Sequence, residues 1–153
     1  KRGVLWNGGF APDVTGLPFP LLRGATPEEL RTHCWGQFLL ARRALGVARE
    51  CMVCRRELFL DGTALDARMG SLAGVDYTLR QESAGRFTLV SPWGHWELPA
   101  DAEHESLTPE AEACFSAQWG ETVRRHGLRN PNLCAAPDYG WRLVLDEIPE
   151  RTP

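Results

Sequence analysis

Apolar residues recur along this chain with two periods, and each period predicts a different kind of element. Leu30, Cys34, Phe38, Ala41 and Leu45 fall three or four residues apart, with Trp35 and Leu39 beside them. Glu28, Arg31, Thr32, Arg42 and Arg43 take the other side. That is the stripe of an amphipathic helix, and Thr26-Pro27-Glu28-Glu29 begins it with a capping box and a proline at the first helical position. The predicted helix runs from Pro27 to about Leu45, with Gly46 as a left-handed C-terminal cap. A second helix is predicted from Thr108 to about His126, with Ala111, Phe115, Trp119, Thr122 and Val123 inward and Gly127 as its stop.

Alternation by two marks the predicted strands. Val75, Tyr77 and Leu79 alternate with Asp76, Thr78 and Arg80, the period of a half-buried strand. Glu82 to Gly85 turns the chain, Arg86 to Ser91 pairs next, Ser91-Pro92-Trp93-Gly94 forms a type I turn, and His95 to Leu98 closes a meander. Glu57 to Asp61 and Trp141 to Glu147 supply further strands, and Pro131 to Gly140 is a loop. Residues 4–24 carry seven glycines and prolines and read as a looping cover tacked down by Leu17, Phe19, Leu21 and Leu22.

These elements predict an α+β fold: one domain over residues 1–153, two main helices packed on an antiparallel sheet of about five strands. Thr26-Pro-Glu and Thr108-Pro-Glu each precede an arginine pair by the same spacing, and Leu-Phe-Leu-Asp is answered later by Leu-Val-Leu-Asp. Residues 3–61 and 85–146 are therefore candidate halves of a worn internal duplication.

Charge adds a dipole to this picture. The net charge of -3 argues against a dedicated nucleic-acid binder, which is usually strongly basic. Locally, however, Arg42, Arg43, Arg49, Arg55 and Arg56 stand against Glu50 alone, whereas Glu97 to Glu112 holds six carboxylates and no Lys or Arg. An odd count of five cysteines in a chain long enough for its own core points to a reducing compartment. With no apolar stretch of signal or membrane-spanning length, the expectation is an intracellular protein, cytoplasmic or nuclear, with no membrane partner.

Candidate chemistry centres on Cys51-Met-Val-Cys54, because two intervening residues let both sulfurs of a tight turn face one tetrahedral zinc ion. His126 and Cys134, in the equivalent loop after the second helix, complete the candidate set Cys51, Cys54, His126 and Cys134. Cys34 lies on the buried helical stripe, where an uncharged thiol behaves as a small hydrophobe.

Three local resemblances accompany these readings. Cys34-Trp35 with His95 downstream resembles the layout of papain-like proteases, which implies a thiol hydrolase with Cys34 as nucleophile and His95 as base. His95-Trp96-Glu97 is similar to the His-x-Glu of zinc deaminases, without their Pro-Cys-x-x-Cys. Asn130-Pro-Asn-Leu-Cys134 resembles the zinc loops of His-Me finger nucleases, and no site carries over from it. Of the six tryptophans, Trp35, Trp96, Trp119 and Trp141 read as core and Trp93 as an exposed turn tip.

No nucleotide loop or catalytic triad is present in the sequence. The functional expectation is a zinc-stabilised interaction module for a protein partner. The alternatives are a nucleic-acid-binding domain using the arginines between Arg42 and Arg56 together with Arg124 and Arg125, and the thiol hydrolase on Cys34 and His95.

Overall fold

The computed structural model describes residues 5, 7–26, 28–29, 40–61, 65–93, 106–129, 133–135 and 141–143, the last two stretches by backbone alone. The fold is mixed α+β. Among the described residues the α-helices with both ends defined are α1 (Arg56–Leu60), α2 (Ala73–Ser83) and α3 (Pro109–Arg124), and a 3-10 helix, Ala67–Leu72, leads into α2. Its strands are β1 (Phe10–Pro12), β2 (Pro18–Pro20), β3 (Arg42–Ala44), β4 (Thr88–Val90), β5 (Leu133–Ala135) and β6 (Trp141–Leu143).

The expected five-stranded sheet does not form. Among the described residues the strands make three separate antiparallel pairs, β1 with β2, β3 with β4, and β5 with β6. Proline explains part of this. Pro12, Pro18 and Pro20 supply no N–H to a ladder, so β1 and β2 cannot sit in the middle of a wider sheet. β5 also lies where a loop was expected, inside residues 131–140.

α2 is the largest departure. Its sequence alternates like a strand, yet Ala73, Gly74, Val75, Asp76, Tyr77, Thr78, Leu79 and Gln81 are all buried in a helix. A helix enclosed on nearly all sides has no polar face to reveal a period of 3.6, so its mixed residues imitate alternation. The buried polar groups find partners instead of solvent. The Thr78 hydroxyl lies 2.8 Å from the Val75 carbonyl oxygen and 3.2 Å from that of Leu45. Around α2 gather Phe10, Leu45, Met69, Leu72, Phe115 and Val123 in the main core.

The 46–49 crossing sets how close the chain can come to this helix. A Cβ on Gly74 would collide with the Val47 carbonyl oxygen and sit 2.8 Å from the Arg49 nitrogen. One on Gly46 would lie 2.9 Å from the Val75 Cα. Both glycines are thus required by close backbone approach, and Gly46 is not among the residues with positive φ that a left-handed cap requires.

The capping box at Thr26 forms as expected. The Thr26 nitrogen donates to Glu29 Oε2 at 2.7 Å and the Glu29 nitrogen donates to Thr26 Oγ1 at 3.3 Å, with Glu28 and Glu29 helical. The helix does not reach Leu45, because Arg42–Ala44 is strand β3. The Leu45 nitrogen donates to the Phe10 carbonyl and the Phe10 nitrogen to the Gly46 carbonyl, so pairing across the chain overrides local helical preference here. Glu57–Asp61, expected as a strand, is instead one turn of helix in α1, and it rests Phe59 on Tyr77 with ring centroids 5.9 Å apart.

α3 matches its expected span and cap. Thr108 accepts a bond from the Ala111 nitrogen, and Ala111, Phe115 and Val123 are buried, while Thr122 is exposed. In the two candidate repeats, Leu58–Leu60 lies in helix α1 whereas Leu143 ends strand β6. A second small cluster of Ala11, Leu21, Leu22 and Ala25 anchors the N-terminal cover. Leu22 holds a φ of 55°, a region an L side chain rarely adopts, and its nearly complete burial stabilises it there.

Candidate functional site

The C-terminal ends of α2 and α3 and strand β3 enclose an open cleft of about 390 Å³, lined by Arg43, Leu79, Glu82, Ser83, Thr122 and His126, among others. Its polar wall is continuous. Glu82 Oε1 accepts from Arg43 Nη2 at 2.8 Å, and Glu82 Oε2 lies 2.7 Å from His126 Nε2. The His126 Nδ1 accepts the Leu128 backbone N–H at 3.2 Å. That bond leaves Nδ1 without a proton, so in the neutral ring Nε2 carries the hydrogen and donates it to Glu82. Both ring nitrogens are therefore engaged, and neither offers a lone pair to a metal or substrate in this arrangement.

Exposed apolar side chains lie on and around β4, which pairs with the strand carrying Arg43. β4 faces β3 with Leu89 opposite Arg43, and the Arg43 guanidinium carbon lies 5.6 Å from the centroid of the Phe87 ring. Phe87, Leu89 and Trp93 are 63%, 55% and 76% exposed. The Trp93 nitrogen donates to Ser91 Oγ at 3.3 Å, which fixes the turn and leaves Trp93 exposed as expected from its position.

The candidate zinc residues are dispersed. Cys51 ends a 3-10 turn, Arg49–Cys51, and Cys54 lies in the extended stretch before α1. Both are exposed, and neither is in a disulfide. His126 is committed to Glu82 and the Leu128 amide, and Cys134 lies in β5, described by its backbone. Among the described residues no three His, Cys, Asp or Glu side chains gather as a metal site. Cys34 and His95, the candidate thiol pair, lie outside the described residues, as do Trp35 and Trp96.

The arginines are largely bound internally. Arg42 donates to the Gly8 carbonyl, Arg43 pairs with Glu82, Arg49 with Glu50, and Arg124 and Arg125 both with Glu121. Arg55 and Arg56 are exposed at the start of α1. Guanidinium groups already matched by carboxylates contribute little to a field that attracts nucleic acid.

Two residues that sequence reasoning placed on a strand hold unusual positions in α2. Asp76 is 1% exposed. Its Oδ2 accepts from Arg80 Nε and Nη2 at 3.0 and 2.8 Å, and its Oδ1 from Trp119 Nε1 and Gln118 Nε2 at 2.8 and 3.2 Å. The i,i+4 spacing of Asp76 and Arg80 was the available signal for a helix. Tyr77 is 2% exposed and its hydroxyl has no hydrogen-bond partner. Burial first, and then the neighbouring Cys54 thiol, push its pKa up to about 12.

Comparison with protein-family models, curated proteins and solved structures finds no match to this chain. Among the described residues no helix is long and apolar enough to cross a membrane.

Proposed function

We propose that this protein is an interaction module that binds a protein partner through the outward face of the β3–β4 ladder. The observation carrying this reading is the exposure of Leu89 on β4, opposite Arg43, of Phe87 just before the strand and against Arg43, and of Trp93 in the turn that follows. Aromatic side chains and arginine are the types enriched where protein surfaces meet, and a buried aromatic anchor dominates binding energy. Covering a Phe or Leu side chain is worth about 1.5–3 kcal/mol by area. The ladder presents these side chains on a fixed backbone, which lowers the ordering cost of binding. The Arg43–Glu82–His126 network holds Arg43, on the same face as Leu89, by joining β3 to the ends of α2 and α3.

The test is affinity capture from the native cell with the whole chain, comparing wild type with Phe87→Ser/Leu89→Ser. Circular dichroism would verify that the variant is folded. A partner retained by wild type and lost from the variant supports the reading, and equal retention by both refutes it. Titration with DNA and RNA at low salt covers the nucleic-acid alternative. Binding that falls steeply with salt and disappears in Arg55→Glu/Arg56→Glu would replace the protein-partner reading, because counterion release requires that dependence.

A further inference from the structure

We propose that the bond after Arg55 is a site of limited proteolysis for an endoprotease with an acidic specificity pocket, and that the two fragments stay together as a folded, nicked protein. Such an enzyme holds its substrate as an extended strand, so it needs several exposed residues whose backbone is free to pair with it. The stretch before α1 has that form. Met52 has φ -123° and ψ 132°, and Arg55 has φ -65° and ψ 136°. Val53, Cys54, Arg55 and Arg56 are all exposed, Val53 to 84%. Among the described residues, the backbone N–H groups from Met52 to Arg55 donate to no carbonyl, and neither Arg55 nor Arg56 pairs with a carboxylate. The guanidinium groups are therefore open to an acidic pocket. Residues beyond the cut must also straighten. α1 is a single turn of five residues with no buried residue and no side-chain cap, and one turn is marginal by itself. Its Phe59–Tyr77 ring contact and the bond from the Phe59 nitrogen to the Arg55 carbonyl are among the few contacts that have to yield.

Other arginines of the described residues lack this context. Arg23 sits in a tight turn closed by the Ala25 nitrogen on the Leu22 carbonyl, and Arg86 is fastened by its own nitrogen to the Gln81 carbonyl. Arg68 lies in the 3-10 helix whose Met69 and Leu72 are buried, and Arg49 begins the 3-10 turn at the crossing packed against Gly74. Cleavage of a folded chain follows the free energy of the opening that exposes the bond, and among these arginines that opening is smallest at Arg55. Hydrolysis breaks the bond between the Arg55 carbonyl carbon and the Arg56 nitrogen. Water supplies the hydroxyl of the new Arg55 carboxyl group and the hydrogen of the new Arg56 amine. The fold survives the cut because residues 1–55 and 56–153 are joined elsewhere. β3 pairs with β4, Arg43 pairs with Glu82, and Arg124 donates to the Thr15 carbonyl. Phe10 and Leu45 are buried in one core with Val75, Leu79 and Phe115.

The test digests the full-length protein with a trace of trypsin under native conditions, weighs the products by intact-mass spectrometry and passes them over a size-exclusion column. The expected first internal cut gives fragments 1–55 and 56–153, which co-elute at the volume of the uncut chain and separate in denaturant. Arg55→Gln/Arg56→Gln changes two exposed side chains, so it should fold normally by circular dichroism and lengthen the half-life of the intact chain about tenfold, because the remaining sites need larger openings. The wild-type digest decides the question by itself if that variant does not fold. A first internal cut anywhere else, Arg23, Arg31, Arg49, Arg68 and Arg86 included, overturns the proposal. Fragments that elute apart without denaturant overturn it too, as does a folded Arg55→Gln/Arg56→Gln protein cut as fast as wild type.

Discussion

Asp76 offers the sharpest test of how this fold is held together. Its carboxylate is 1% exposed and accepts four hydrogen bonds, two from Arg80 on its own helix and one each from Trp119 and Gln118 on α3. Replacing it with Ala removes the acceptor and leaves the Arg80 guanidinium, 24% exposed, and the Trp119 N–H with unmet demands. Breaking a buried pair by deleting one member costs about 3–5 kcal/mol, because the remaining charge is uncompensated. A domain of this size has a total stability of about 5–15 kcal/mol, so Asp76→Ala should lose a large fraction of it. At roughly 2–4 °C per kcal/mol, the midpoint should fall by on the order of 10 °C. Asp76→Asn should be nearly as damaging, since an amide can keep the bond from Trp119 only by turning its own NH2 towards Arg80. Gln118→Ala removes one exposed donor from a carboxylate that keeps three, and should cost at most about 1 kcal/mol. Urea denaturation of the three variants measures these differences. A loss below about 1 kcal/mol in Asp76→Ala would refute the view that this network bolts α2 to α3.

Gly74→Ala places a methyl group against the Val47 carbonyl and the Arg49 nitrogen, both backbone, so it should lower stability by about 1–3 kcal/mol despite the better helix propensity of alanine. A gain in melting temperature would show that the 46–49 crossing can move away. Tyr77 should ionise near 12 and not near 10, visible as late phenolate absorbance from one of two tyrosines. Because the raised pKa belongs to the folded state, its contribution is complete below pH 10 and is lost as pH climbs through 12. Tyr77→Phe should therefore flatten the stability decline across that window. The zinc proposal now rests on Cys51 and Cys54, the two exposed thiols. If Cys51 and Cys54 bind zinc, elemental analysis should find about one equivalent, released with a fall in melting temperature in Cys51→Ser, and metal-free protein with unchanged stability in that variant would end the idea.

Local chemistry was legible in the sequence wherever a few adjacent residues decide the outcome. The Thr26–Glu29 capping box, the start of α3, the turn at Ser91 and the exposure of Trp93 all follow from side chains bonding to nearby backbone or standing at a turn tip. What the sequence could not reveal depended on distant partners. Arg42–Ala44 has the composition of a helix end, and became a strand because Thr88–Val90 pairs with it, while Phe10 bonds Leu45 and Gly46 just beyond it. Val75 to Leu79 alternates like a strand, and became a helix because core residues and the polar anchors of Asp76 enclose it on nearly every side. Pairing Glu82 with both Arg43 and His126 required bringing together residues 39 and 44 positions apart. Period and composition report how a residue meets solvent in its own element, and carry no record of which remote element will cover it.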